Sequence, residues 1–225
     1  ALRLAPGSGP AMAALERCYH AQRAWPELAR AIERRAEQAS DPRMRVDLLG
    51  KAAEVLELKM NDPQGAALIL KRALSADPKN KRVLGDLARL SEKAQSYSDV
   101  VTYKTQLAEL QPSKRSASQT YVQIGDLLDA PDRDPVGARL MYEKAVEVDR
   151  TNATAWEALE RVVRASKDER RLLHCLEERA KHTESPRMRA QVLVELAGIK
   201  KNVGDERGAS QAYEAALKAD PSNET

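Results

Sequence analysis

The sequence predicts an all-α solenoid of six helix-turn-helix hairpins, twelve helices in all. Two observations carry that prediction: a long internal period, and apolar spacing that is helical almost throughout. DPRMR at 41–45 returns as SPRMR at 185–189, 144 residues on, which is twice 72. At the same shift ALER at 14–17 meets ALER at 158–161, with DLAR at 86–89 midway, and at a single shift of 72 DPQGA at 62–66 meets DPVGA at 134–138. A period of this length marks stacked supersecondary units, each too small to bury its apolar face without a neighbour. No stretch alternates in the two-residue rhythm of a strand.

The period divides the single array 1–225 into tandem units at 9–80, 81–152 and 153–224. Each unit holds a shorter hairpin, at roughly 10–39, 81–110 and 153–182, and a longer one, at roughly 41–77, 113–149 and 185–220. Helix starts are written at Asp41-Pro42, Asp62-Pro63, Asp134-Pro135 and Ser185-Pro186. There a side-chain oxygen can accept from free amides, and proline loses a donor that had no partner. First helices are expected to pack through Leu15, Leu87 and Leu159 in the short hairpins, and through Ala52, Ile124 and Leu196 in the long ones. Second helices of the long hairpins present Ala66, Leu70 and Ala73, then Ala138, Tyr142 and Ala145, then Ala209, Tyr213 and Ala216. Small residues let helices approach while one large side chain fills the groove. Gly65, Gly137 and Gly208 leave room for a tight turn beside the second helix. Ala1, Leu2 and Pro6 match Ala73, Leu74 and Pro78, so residues 1–8 read as the tail of a preceding repeat. The chain is therefore expected to be a piece of a longer array, and its lack of a targeting segment is uninformative.

Charge and composition narrow the function. The thirds carry 12 basic and 10 acidic groups, 11 and 11, and 13 and 13, and with Arg3 the net charge is +3. This balance supplies no basic track for a phosphate backbone, and with aromatics at 4% there is no repeated base-stacking code, so nucleic acid is not an expected partner. No apolar run approaches the roughly eighteen residues of a membrane span. Cys18 and Cys175 both fall on apolar stripes and read as small core residues, a usage that suits a reducing compartment and favours the cytoplasm. The three histidines form no metal spacing, and the acidic turn DAPDRDP at 129–135 lacks calcium-loop spacing. No nucleophile set or phosphate loop is present, so neither catalysis nor a cofactor is expected.

AYEAALKADPSN at 212–223, MYEKAVEVDRTN at 141–152 and ALILKRALSADPKN at 67–80 resemble the tetratricopeptide repeat, and Trp156, Leu159 and Val163 suit its first-helix pattern. The resemblance covers essentially the whole chain. It departs from the family in a mean hairpin of 36 residues, in an extended inner turn such as KMNDPQG at 59–65, and in lacking the first-helix glycine outside Gly125. It implies a right-handed superhelix whose first helices line a concave groove, where peptides or helices of partner proteins lie. The lysine and asparagine set with which some members clamp a terminal carboxylate has no counterpart at the corresponding positions.

The residue two beyond each packing position lies about 200° around the helix, away from the neighbouring hairpin. Those residues are Arg17, Glu54, Arg89, Asp126, Arg161 and Gly198; one turn on come His20, Glu57, Glu92, Asp129, Arg164 and Lys201. Signs alternate from hairpin to hairpin. Because packed helices lie about 8–10 Å apart, long side chains can pair across them. The expected function is a non-catalytic scaffold gripping a protein or peptide partner of mixed charge. The alternatives are a self-assembly module, with end-to-end association of this piece, and an RNA-binding helical repeat.

Overall fold

The computed structural model describes residues 9–131 and 133–221, and among them twelve helices form and no strand. In order they are α1 Gly9–Ala21, α2 Trp25–Gln38, α3 Pro42–Met60, α4 Pro63–Ala76, α5 Lys81–Lys93, α6 Tyr97–Glu109, α7 Lys114–Leu128, α8 Pro135–Val148, α9 Ala153–Ala165, α10 Glu169–His182, α11 Pro186–Asn202 and α12 Glu206–Ala219. They form six hairpins at the positions the repeat implied.

The four expected caps are all made: the Asp41, Asp62, Asp134 and Ser185 side chains accept from the amides of Arg43, Gly65, Gly137 and Met188. Asn80, Asn152 and Asp205 cap α5, α9 and α12 in the same way, each connection worth about 1 kcal/mol. The recurrent glycine follows from this. A Cβ at Gly65 would lie 2.9 Å from Asp62 Cγ, and Gly137 and Gly208 are pressed as closely by Asp134 and Asp205. The short hairpins turn on Arg23, Gln95 and Lys167, spaced by 72 and all left-handed, with φ of 56°, 57° and 56°. No glycine announces these turns, although each non-glycine residue there bears a cost of about 1 kcal/mol.

The chain falls into two compact units, Ala1–Leu110 and Gln111–Thr225. In the first, α1 to α6 pack each on the next, around Ala52, Ala73, Val83, Leu84 and Leu87, all essentially inaccessible to solvent. In the second, α7 to α12 do the same around Ile124, Tyr142, Ala145, Leu176 and Ala197, and α9 also touches α7. The repeated PRMR acquires a physical meaning here. Arg45 Nη2 donates to the Ala39 carbonyl at 2.9 Å, and Arg189 Nη2 donates to the Thr183 carbonyl at 2.7 Å. Each arginine of the new helix thus holds the C-terminal cap of the helix before it.

Several expectations need correction. Leu15 is only half-buried, because among the described residues α2 is the helix that packs on α1, whereas Leu87 and Leu159 are buried. Cys18 is exposed for the same reason; Cys175 is the core thiol. Tyr213 is 36% exposed: α9 covers the corresponding Tyr142, while only α11 packs on α12 among the described residues. KMNDPQG is no extended turn, since α3 continues to Met60 and α4 begins at Pro63. The extra length is helix. The proposed tail at 1–8 lies outside the described residues.

Candidate functional site

Most of the first-helix positions fall on solvent, with Glu57, Asp129 and Gly198 partly covered, but their pairing is displaced by one turn from simple alternation. In the first unit Arg89 on α5 donates to Glu57 on α3 through Nη1 at 2.5 Å and Nη2 at 2.7 Å. Lys93 Nζ reaches the same carboxylate at 2.9 Å, and Asp86 lies 3.5 Å from Arg89. Glu92 turns instead to Lys104 on α6, at 2.6 Å. Arg17, His20 and Glu54 come together around a cleft between α1, α2 and α3, and neither Arg17 nor Glu54 has an ion pair among the described residues.

In the second unit the charges gather on a buried phenol. Tyr142 on α8 is fully buried; its hydroxyl donates to Asp126 Oδ1 at 2.7 Å and accepts from Arg161 Nη2 at 3.2 Å. Arg161 on α9 also donates to Asp129 Oδ2 at 2.8 Å, so Asp126, Asp129 and Arg161 are one network. Burial, and then the hydrogen bond to Asp126, push the Tyr142 phenol above its ordinary range, so it stays a neutral donor. Arg164 bridges Glu160 on its own helix and Glu195 on α11. Lys201 has no ion pair among the described residues, and Gly198 leaves a gap in the row. The repeat pattern alone predicts Tyr142 as groove filler and does not reveal this network. The signal for its role is the glycine that matches the family's first-helix position: a Cβ at Gly125 would lie 2.6 Å from Tyr142 Cδ1 and 2.8 Å from Cζ.

Glu57 is held by two cations, Arg89 and Lys93. Its hydrogen bonds to Arg89, opposed by burial and aided by Lys93, lower its pKa from 4.5 to about 2. A carboxylate with a folded pKa below its unfolded value stabilises the fold above the unfolded value, and loses that contribution as pH falls through the folded one. Glu57→Gln should therefore cost up to about 1 kcal/mol at neutral pH, where partly solvated pairs are screened. The difference from wild type should shrink between pH 4.5 and about 2 and vanish below. Urea midpoints at pH 7, 3 and 2 measure it, and a pH-independent difference would contradict this account.

Other chemistry is sparse. Burial pushes the Cys175 thiol up to about 12, far from a reactive thiolate. His20 stands edge-on to Trp25, and His182 lies 3.9 Å from Glu178. Among the described residues no group of three or more His, Cys, Asp or Glu side chains is placed to hold a metal ion, and no helix is long and apolar enough to cross a membrane.

Two family models, both described as tetratricopeptide repeat, match residues 57–112 and 190–223. Among solved structures, the C-terminal part of a repeat-containing protein from Cytophaga hutchinsonii is 14% identical, covering 93% of this chain and 82% of its own, with a TM-score of 0.43. A tetratricopeptide repeat protein from Parabacteroides merdae is 12% identical over 96% of this chain and 94% of its own, at 0.40. The pilF protein of Pseudomonas aeruginosa is 15% identical over 95% and 92%, at 0.38. No curated protein matches the chain. Proteins of the tetratricopeptide fold are in general interaction scaffolds without catalysis of their own. Residues 57–112 and 190–223 are tetratricopeptide repeats, and the chain is a tetratricopeptide-like repeat protein.

Proposed function

We propose that the chain is a scaffold whose exposed first-helix side chains hold an extended segment or helix of a protein partner. The observation that carries this reading is the set of arginines already fixed in position yet open to solvent. Arg89 and Arg161 are each held by carboxylates of a neighbouring first helix, and their side chains remain 44% and 60% exposed. A guanidinium has five donors, so each keeps some for a ligand, and a side chain already ordered loses less entropy on binding. The carboxylates beside them, Glu57, Asp126 and Asp129, would receive the partner's cations. Exchange is cheap because exposed pairs contribute only about 0–1 kcal/mol each. Glu54, Glu92, Arg164 and Lys201 belong to the same rows, and Arg17 and His20 extend the row of the first unit.

Reversing Arg89 and Arg161 together to glutamate tests the reading. Both replaced side chains are exposed to solvent and outside the core, so the circular-dichroism spectrum should stay native. Capture of a partner, mapped to these helices by crosslinking, should fall at least tenfold. Undiminished capture by the folded double variant would place the binding surface elsewhere.

A further inference from the structure

We infer that the cleft between α1, α2 and α3 takes a large aromatic side chain of a partner peptide whose flanking residues are acidic. This rests on the scaffold reading and gives its first unit a chemically defined partner. The cleft is an open groove of about 640 Å³, within the range of small-ligand sites and ample for an aromatic ring with its adjoining backbone. Leu28, Ile32 and Val55 line it, Trp25 forms one wall, and Leu58 stands on its lip 63% exposed.

Its charges are unbalanced toward the positive. Arg17 and Lys51 on the lining have no ion pair among the described residues, and Lys59 lies 5.7 Å from the centre of the Trp25 ring. Of the two lining carboxylates, Glu16 is taken by Arg35 at 2.7 Å, which leaves Glu54 uncommitted. Acidic residues on either side of an inserted ring would meet these cations. Glu16 Oε1, at the base of the cleft's α1 wall, is buried with no donor among the described residues, so this wall lacks the second arginine that would tie its carboxylate down.

The chain contains its own comparison 144 residues on. Glu160 stands where Glu16 does, and Arg179 holds it as Arg35 holds Glu16. There the other oxygen receives Arg164, which continues to Glu195. At the matching positions α1 carries His20 in place of Arg164, α2 carries Trp25 in place of Glu169, and α3 carries Lys51 in place of Glu195. His20 has turned to Trp25, ring centres 5.4 Å apart at 81°, and Glu16 Oε1 has no donor in its place among the described residues. One copy is a recess of arginines and glutamates that satisfy one another; the other has exchanged that network for apolar walls and unmatched cations.

The test uses the full chain and a dye-labelled peptide with a central tryptophan flanked on each side by two glutamates, read by fluorescence anisotropy. Replacing the peptide's tryptophan by alanine, or its glutamates by lysines, should each weaken binding at least tenfold. His20→Arg with Lys51→Glu rebuilds the network of the other copy; this variant should keep or raise its melting temperature and lose the peptide at least tenfold. Leu58→Glu, a surface change, should weaken it as well. In nuclear magnetic resonance the indole N–H of Trp25, and not that of Trp156, should shift. Failure to bind at millimolar peptide, equal binding of the lysine peptide, or full binding by the rebuilt variant would each overturn the inference. So would concentration-dependent dimers that His20→Arg with Lys51→Glu abolishes, since a second copy would then be the occupant. The Arg89→Glu with Arg161→Glu chain should hold the probe within twofold of wild type. Partner capture lost in that chain while no variant of the probe binds would sink this cleft and leave the scaffold reading intact.

Discussion

Replacing Leu87 by aspartate should cost on the order of 5 kcal/mol, the largest effect expected of any single change in the first unit. Leu87 is 1% exposed and sits on α5 beside Val83, Leu84 and Ala88, in the core shared with α3 and α4. The change removes the contacts of a buried leucine, about 2–5 kcal/mol even when alanine replaces it. It also places a carboxylate where no cation is at hand, which belongs to the few severely destabilising mechanisms. Charge alone is not the cause: the Leu58→Glu control, at a residue 63% exposed, should move stability by less than about 0.5 kcal/mol. Urea titrations followed by circular dichroism compare the two, and equal midpoints would show that position 87 does not face the core.

Gly125→Ala should destabilise by about 2 kcal/mol, although alanine is the better helix former. Two opposed terms decide the sign. Alanine gains about 1 kcal/mol of helix propensity over glycine. Against this, its Cβ would overlap the Tyr142 ring, which is fully buried and cannot withdraw. Overpacking of this kind costs about 1–3 kcal/mol. Moving the ring also breaks the bond from the phenol to Asp126, worth about another 1 kcal/mol. Gly85→Ala is the matched control. It lies inside α5 with nothing within 4 Å of its would-be Cβ, so only the propensity term acts and the variant should gain up to about 1 kcal/mol. Opposite signs from the same substitution in two helices would isolate the packing term; a stabilised Gly125→Ala would mean that Tyr142 is not where it has been placed.

Helix boundaries and buried faces were largely legible in the chain. Apolar spacing and oxygen-plus-proline caps are local rules that a repeat states three times, and Ala52, Ile124 and Leu196 all prove buried. What periodicity does not encode is the number of neighbours a helix receives. Leu15 and Tyr213 stand at the repeat positions of Leu87 and Tyr142, and Cys18 falls on an apolar stripe, yet they lie on α1 and α12, each packed by one helix among the described residues. The exposed charges were placed on the right face but not with the right partners. Arg89 chooses Glu57, a turn beyond Glu54, because the reach of a guanidinium and the slant of packed helices decide the match, and neither is written in sign alternation. The cleft beside Trp25 was hidden for a different reason. Its character comes from three departures from the repeat, His20, Trp25 and Lys51, which a search for similarity passes over.

Arg45 and Arg189, each closing on the carbonyl that ends the previous helix, have a practical corollary for anyone who would cut or recombine this chain. The corners at 39–45 and 183–189 are riveted, and a graft seam drawn there severs a bond that no incoming module restores unless it brings its own arginine. At the position 72 residues after Arg45 stands Ala117, so a donor segment taken from that register would arrive without the rivet. The short loops inside the hairpins, at 22–24 and 94–96, carry no such fastening and are the natural places for a splice.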